Sequence, residues 1–159
     1  MNYTIREAIE SDAQRIEGLL YTIAELHRQI RPDLFKQACS KYNIKDLHEK
    51  FMNPQEKIFV AADERNIVLG YVFCIIQEYI GNNVLTDHKT LYIDDLCVDK
   101  NARGFGVATA LMDRAVSYAR EIACHNITLN VWTGNSAAER FYEKYGLKTQ
   151  SKHLEMVLS

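Results

Sequence analysis

A glycine-rich turn, Arg103-Gly104-Phe105-Gly106-Val107-Ala108, joins a strand-like run, Leu91 to Val98, to a helix-like run, Thr109 to Ile122. Glycine has no side chain to hold a ligand away from the backbone, and N–H groups at the start of a helix bind anions. The turn therefore predicts a phosphate-binding site where a strand meets a helix. A glycine-rich turn can also serve only as a tight connection, so the turn alone leaves both interpretations open.

Two other phosphate-binding motifs fit the turn less well. A dinucleotide fingerprint needs Gly or Ala three positions after Gly106, where this chain has Thr109, and an acid at the end of the next strand, Ile127 to Trp132, which has none. The P-loop pattern G-x-x-x-x-G-K-[ST] does not occur. We therefore expect neither of these nucleotide sites.

Composition and charge predict one globular domain over residues 1–159. Hydrophobic residues make up 47% of the 159 positions and charged residues 25%, which is enough apolar material for a single core. The net charge of −2 gives no electrostatic reason to bind nucleic acid or an anionic membrane, so we expect neither and favour a small or cationic partner. The longest apolar run, Ile67 to Ile76, is too short to span a bilayer.

Cysteine and histidine usage predicts a reducing compartment and no metal cofactor. The cysteines form no C-x-x-C pair, and no secretory leader precedes Tyr3, so we expect a cytoplasmic protein. None of the five histidines has metal-ligand spacing to another histidine or to a cysteine.

Hydrophobic periodicity and capping residues predict six or seven strands and four helices. The strands are Tyr3 to Arg6, Lys57 to Ala62, Ile67 to Glu78, Thr90 to Val98, Ile127 to Trp132 and His153 to Leu158, with a further short strand at Leu147 to Gln150. The helices run from Ser11 or Asp12 to before Pro32, from Asn43 to Met52, from Thr109 to Ile122, and from Asn135 or Ser136 to Tyr145. This order predicts an α/β fold with a mostly antiparallel sheet flanked by helices.

The last predicted helix has the sequence Asn135-Ser-Ala-Ala-Glu-Arg-Phe-Tyr-Glu-Lys-Tyr-Gly146. Ser136 with Glu139 forms a capping box, and Asn135 could cap the helix instead. Asn135 and Tyr142 are seven positions apart and so lie on one side of the helix, where both can contact one elongated ligand. The aromatic residues of this helix also have the spacing of a core-facing patch, so Tyr142 alone does not predict catalysis.

Together the two segments resemble the GNAT family of N-acetyltransferases. The turn is similar to the family motif Arg/Gln-x-x-Gly-x-Gly/Ala, and the helix to Asn-x-x-Ala-x-x-Phe-Tyr-x-x-x-Gly. The predicted order of strands and helices also matches the family over essentially the whole chain. The resemblance implies a GNAT-type, mostly antiparallel sheet of six to seven strands flanked by four helices, and an acetyl-CoA-dependent acyltransferase that moves an acetyl group to a primary amine.

The resemblance also implies the residues that bind acetyl-CoA. The pyrophosphate would lie on the turn, the pantetheine would pair with the main chain of the preceding strand, and Asn135 would hydrogen-bond the cofactor. Tyr142 would hold its hydroxyl near the thioester sulfur and protonate the leaving thiolate, for which a phenol is suited because its reference pKa is about 10. The implied cofactor-binding residues are Leu96, Cys97, Val98, Arg103, Gly104, Phe105, Gly106, Val107, Ala108, Thr109 and Asn135.

Two adjacent acids, Asp94 and Asp95, lie in the strand before the turn. Strand alternation puts Asp94, Leu96 and Val98 on one face and Ile93, Asp95 and Cys97 on the other. The resemblance implies that Asp94 takes the proton of the acceptor amine, directly or through water, and we expect Asp95 to contact the acceptor. An alternative is that these carboxylates only bind Arg or Lys side chains.

The acceptor itself is not defined by the sequence. His27, Arg31 and Phe35 belong to the segment where relatives have the loop that covers the acceptor, and they are candidate substrate-binding residues. The acceptor could be a small-molecule amine, a polyamine, an amino acid, an aminoglycoside or a protein amine, and family analogy makes a homodimer possible through the C-terminal strand or the sheet edge. Two alternatives are a non-catalytic acyl-CoA sensor and an RNA-directed acetyltransferase, the latter disfavoured by 19 basic against 21 acidic residues.

Overall fold

The computed structural model describes residues 1–158, in which one sheet lies between two layers of helices. The strands are β1 (Tyr3–Glu7), β2 (Glu56–Asp63), β3 (Val68–Tyr79), β4 (His88–Val98) and β5 (Asn126–Leu129). The helices are α1 (Ala13–Ile30), α2 (Ile44–Met52), α3 (Val107–Glu121) and α4 (Ser136–Tyr145), with short 3-10 turns at Glu10–Asp12 and Lys100–Ala102. No helix among the described residues is long and apolar enough to cross a membrane.

The five strands are arranged in chain order, β1-β2-β3-β4-β5. The first four pair antiparallel, whereas β5 pairs parallel to β4 because α3 carries the chain back across the sheet between them. The predicted α/β class and the mostly antiparallel sheet are therefore confirmed.

Two hydrophobic layers cover the two faces of the sheet. On one face α3 buries Leu111, Met112 and Ala115 against residues that include Phe59 and Val72. On the other face α1 and α2 pack on the alternate strand residues, and this layer contains Ile16, Leu20, Leu47, Val60, Tyr71 and Phe73. Since both faces of β2 and β3 are covered, the sequences of these strands are nearly continuous apolar runs.

The C-terminal segment differs from the prediction. Neither Leu147 to Gln150 nor His153 to Leu158 forms a strand, so the sheet has five strands and not six to seven. The alternation of apolar and polar residues in the last segment fits a strand, but a strand also needs a partner edge, which the pattern does not supply. The exposed apolar side chains there are Leu154 (85% exposed), Met156 (83%), Val157 (68%) and Leu158 (88%).

Candidate active site

A β-bulge in β4 lies at the two adjacent acids. Phe73 of β3 pairs with Asp95, and the next residue, Cys74, pairs with Ile93, which leaves Asp94 as an extra residue. One extra residue reverses the phase of side-chain alternation. Ile93 and Leu96 consequently share the α3 layer, and Asp94 and Asp95 both contact side chains of the α1–α2 side of the sheet. The predicted alternation across Asp94 is therefore wrong.

The strands β4 and β5 separate just beyond the bulge. Their parallel pairing ends at Ile93 and Leu129, while β4 continues to Val98. Beyond Ile93, β4 pairs with β3 on one edge, and its other edge has no strand partner among the described residues. The main chain of Leu96, Cys97 and Val98, predicted to bind the cofactor, lies along this open edge. An extended ligand with amide groups can pair there as an added strand does.

The glycine-rich turn follows the open edge and begins α3. Gly104 and Gly106 have φ angles of 82° and 80°, in the left-handed region that favours glycine. Gly106 is the N-cap of α3, and no side chain caps the helix. Asn43 and Asn135, by contrast, cap α2 and α4 by accepting from backbone N–H groups, whereas α1, which continues the 3-10 turn at Glu10–Asp12, has no side-chain cap either.

The consequence of the uncapped start is a set of backbone donors at the end of the open edge. The first N–H groups of a helix have no intrahelical partner, and with the helix dipole they favour a negative charge. The predicted residues Arg103, Phe105, Ala108 and Thr109 surround these donors in sequence, and Phe105 is 52% exposed. The chemistry of this corner fits a pyrophosphate.

Asn135 and Tyr142 both belong to the α4 segment, Asn135 as its N-cap and Tyr142 seven positions later. Of the two caps left open by the sequence, the structure uses Asn135, whose Oδ1 accepts from the Ala138 N–H at 3.3 Å. Tyr142 is half-buried against the α3 layer, with its ring 5.3 Å from that of Phe141. Burial, reinforced by the charge of Asp95, raises the pKa of Tyr142 well above its usual value, so the phenol keeps its proton.

Asp95 has the most perturbed carboxyl group of the site. Burial, with a smaller contribution from the neighbouring Asp94 and against the opposing effect of the Lys41 ammonium, raises the pKa of Asp95 from its ordinary 3.8 to about 6. The Tyr71 hydroxyl lies 3.3 Å from Asp95 Oδ2. A carboxylate that titrates near neutral pH is suited to accept and release a proton.

Asp94 is held by two residues that the sequence did not single out. Lys41 Nζ is 2.8 Å from Asp94 Oδ1, and the Tyr42 hydroxyl donates to Asp94 Oδ2 at 2.7 Å. Both residues belong to the connector between α1 and α2. The only feature of the sequence that could have pointed to them is a lysine next to a tyrosine just before Asn43, the N-cap of α2. Asp94 thus binds a lysine side chain, as one interpretation of the sequence had it.

The three predicted acceptor residues of the α1 end lie together. The rings of His27 and Phe35 are 5.3 Å apart, and Phe35 packs edge-on against Trp132 at 5.3 Å. The Arg31 guanidinium is 5.9 Å from the Trp132 ring centroid and also forms an ion pair with Glu155 at 2.8 Å. The sequence did not predict Trp132 as a candidate site residue. It predicted a strand from Ile127 to Trp132, whereas β5 ends at Leu129, so Trp132 lies in the loop that follows.

Charge at this aromatic cluster is limited by its surroundings. Burial, followed by the nearby Lys41 ammonium, lowers the pKa of His27 below its ordinary 6.5, so the imidazole is neutral at physiological pH. No group of three or more metal-ligating side chains occurs in the part of the chain that the structure describes. The cluster therefore consists of a neutral imidazole and two aromatic side chains, with the Arg31 cation beside Trp132.

A sheet that opens beyond a bulge, followed by a glycine turn with free helix N–H groups, agrees with the acyltransferase fold that the sequence resemblance implies. The chain belongs to the acetyltransferase (GNAT) family, whose sequence profile matches residues 20–147. It is similar to the peptidyl-lysine N-acetyltransferase YjaB of Escherichia coli, with 29% identity over 118 residues that cover 74% of this chain and 67% of YjaB.

Solved structures agree with this assignment. A variant of the BH1408 protein of Bacillus halodurans superimposes with a TM-score of 0.94 at 27% identity, over 98% of this chain and 99% of that chain. The aminoglycoside N-acetyltransferase AAC(6')-Iy, solved in complex with CoA, has the same fold with a TM-score of 0.71 at 13% identity, over 98% of this chain and 99% of that chain. Membership of the family and an enzyme of the acyltransferase type are therefore confirmed.

Proposed function

We propose that this protein is an acetyl-CoA-dependent N-acetyltransferase that transfers the acetyl group to a primary amine by direct attack in a ternary complex. The observation that carries the proposal is the continuity of the site. The uncapped start of α3 lies at one end of the open β4 edge, and Asp94, Asp95 and Tyr142 lie around the other. One extended thioester with a diphosphate fits along that path.

Each part of the cofactor has a matching part of the chain. The pyrophosphate accepts hydrogen bonds from N–H groups of the turn between Arg103 and Thr109, where the helix dipole adds to the attraction. The pantetheine amides pair with the main chain of Leu96 to Val98. Asn135 uses its amide on the cofactor while Oδ1 caps α4.

The reaction needs two proton transfers, and the site has a group for each. A substrate ammonium is not a nucleophile until it loses a proton, which Asp94 takes directly or through water, with Asp95 holding the acceptor amine. The free amine then attacks the thioester carbonyl. Tyr142 donates its proton to the departing thiolate, and its raised pKa keeps that proton available.

The acceptor is a primary amine on a small molecule or a peptide. The aromatic side chains of Phe35 and Trp132 supply an apolar wall, and the carboxylates of Asp94 and Asp95 supply the charge that attracts an ammonium. The YjaB relative is named for peptidyl-lysine, and AAC(6')-Iy for aminoglycosides. A panel with lysine peptides, aminoglycosides, polyamines and amino acids therefore covers the chemistry.

The test of the proposed function is release of CoA thiol from acetyl-CoA with each amine of the panel, and mass spectrometry of the products. We expect turnover with at least one amine and a product heavier by one acetyl group. Tight acetyl-CoA binding with no turnover on any amine would instead favour the acyl-CoA sensor. Absence of acetyl-CoA binding would reject both.

The pH dependence of the reaction should follow Asp95. Because the pKa of Asp95 is raised to about 6, its carboxylate is lost as the pH falls through that value, and kcat/KM should fall with it. Asp95→Asn should remove this acid limb and lower kcat/KM at pH 8. Asp113→Asn, which changes a carboxylate bonded to Tyr145 on another surface, is the matched control and should retain the limb. An unchanged limb in Asp95→Asn would assign it to another group.

The exposed C-terminal segment supports a homodimer. Four large apolar side chains between Leu154 and Leu158 are 68–88% exposed, and a second copy could cover them.

A cytoplasmic location is part of the proposal. All four cysteines are unpaired, which suits the reducing cytoplasm.

The dimer is tested by light scattering after size exclusion. The double change Leu154→Asp and Met156→Asp should convert a wild-type dimer to monomers, because it puts two charges into the buried contact. Val84→Asp, at an equally exposed apolar residue in the β3–β4 loop, should leave the dimer intact. A monomeric wild type at all concentrations would exclude this contact.

A further inference from the structure

One primary amine of the chain lies at the carboxylate that is proposed to receive the acceptor. Lys41 Nζ donates to Asp94 Oδ1 at 2.8 Å and to the Asp94 backbone oxygen at 3.1 Å. Tyr42 binds the other carboxylate oxygen at 2.7 Å, so both oxygens of Asp94 are bonded to this loop. An acceptor ammonium that reached Asp94 would have to take the position of Lys41.

The positive charge of Lys41 also affects two other candidate acceptor residues, Asp95 and His27. It lowers the pKa of Asp95 against the effect of burial, and it lowers the pKa of His27. The ammonium is therefore within electrostatic reach of the carboxylate pair and of the aromatic cluster. The Lys41 side chain is 44% exposed, whereas that of Asp94 is only 10% exposed.

We propose that Lys41 is a self-acetylation site, at which the enzyme transfers the acetyl group from bound acetyl-CoA to its own chain. The inference rests on the proposed function, because it uses the same donor and the same proton-transfer groups. It adds a covalent modification and a defined acceptor atom, Lys41 Nζ.

The step balances without any further reactant. The Lys41 ammonium gives one proton to Asp94, from which it passes to water, and the nitrogen lone pair attacks the thioester carbonyl. The N–C bond forms and the C–S bond breaks. Tyr142 gives its proton to the CoA thiolate and regains one, through water, from the attacking nitrogen. The products are an amide at Lys41, free CoA thiol and one proton.

The modification would change the site that performs it. Acetylation removes the positive charge of Lys41 and its ion pair, so Asp94 becomes available to another ammonium. The pKa of Asp95 should also rise, because the Lys41 ammonium lowers it. The acid limb of kcat/KM for an external amine should accordingly move to higher pH in the acetylated enzyme.

The test is incubation of the purified protein with isotope-labelled acetyl-CoA and no added amine, followed by site-resolved mass spectrometry of every lysine. We expect Lys41 to approach one label per chain, with a first-order rate that does not depend on protein concentration. Lys45, whose side chain is 85% exposed, reports non-enzymatic acetylation in the same region. Tyr142→Phe should slow labelling at Lys41 at least tenfold and leave Lys45 unchanged.

The outcomes separate this inference from the proposed function. Turnover on the amine panel with labelling at Lys41 no faster than at Lys45 would overturn self-acetylation and leave the proposed function standing. Equal labelling of Lys41 in wild type and Tyr142→Phe would also overturn it, since the reaction would then be non-enzymatic. No labelling at Lys41 and no turnover on any amine would overturn both.

Discussion

Gly106→Glu is expected to weaken acetyl-CoA binding by at least a hundredfold. The new carboxylate would project from the first residue before α3, where the uncapped N–H groups and the helix dipole are proposed to hold the pyrophosphate. It would repel the diphosphate and could itself accept from the same N–H groups. Isothermal titration calorimetry with acetyl-CoA measures the change directly.

Two control variants separate charge from backbone strain. Gly106 has a φ of 80°, so any side chain there costs about 1 kcal/mol or more of stability. Gly106→Ala carries the same strain without the charge and should lose far less affinity, since its Cβ would meet only the Tyr3 hydroxyl at 3.5 Å. Gly81→Glu introduces the same residue at a φ of 65° in open space in the β3–β4 loop and should bind normally. Unchanged affinity in a folded Gly106→Glu variant would refute the pyrophosphate position.

The parts of the site that the sequence predicted are those determined by local chemistry. A left-handed φ at Gly104 and Gly106, and an asparagine that caps a helix, depend on residues within one turn of each other. Such features leave a readable pattern in a short stretch. The turn and the start of α4 were predictable for that reason.

The parts that were missed depend on contacts between distant segments. The bulge at Asp94 changes the strand register by one residue, and no residue type in β4 predicts a bulge at that position. Lys41 reaches Asp94 across 53 positions of sequence, and Trp132 joins the Phe35 cluster only after β5 has ended. The C-terminal segment shows the reverse case, since its alternating pattern is present but no strand edge within the described chain pairs with it.

The fold alone does not choose the acceptor. Relatives with this architecture are named for peptidyl-lysine and for aminoglycosides, and one scaffold can carry many acceptor sites. In this chain the α1–α2 connector contributes Lys41 and Tyr42 to the contacts of Asp94 and Phe35 to the aromatic cluster, so we expect the connector to determine acceptor choice.

Tyr142→Phe is expected to lower kcat about a hundredfold with little change in acetyl-CoA affinity. The substitution keeps the ring that packs on Phe141 and the α3 layer, so the fold should be preserved. It removes the only proton that the phenol can give to the thiolate, and general-acid catalysis typically contributes 10²–10⁴ in rate. Steady-state release of CoA thiol, together with calorimetry of acetyl-CoA binding, separates the loss of chemistry from a loss of binding.

Tyr145→Phe provides the matched control for the loss of a hydroxyl from the same helix. The Tyr145 hydroxyl donates to Asp113 Oδ1 of α3 at 2.6 Å, a contact between two helices and away from Asp95. Its removal should lower the free energy of unfolding by about 1 kcal/mol. The kcat should stay within about twofold of the wild type, because this hydroxyl is not proposed to transfer a proton. If Tyr142→Phe kept the wild-type kcat, the thiolate would have to receive its proton from water, and Tyr142 would be a packing residue of the α3 layer. If both variants lost rate equally, the effect would come from the position of α4 and not from the proton of Tyr142.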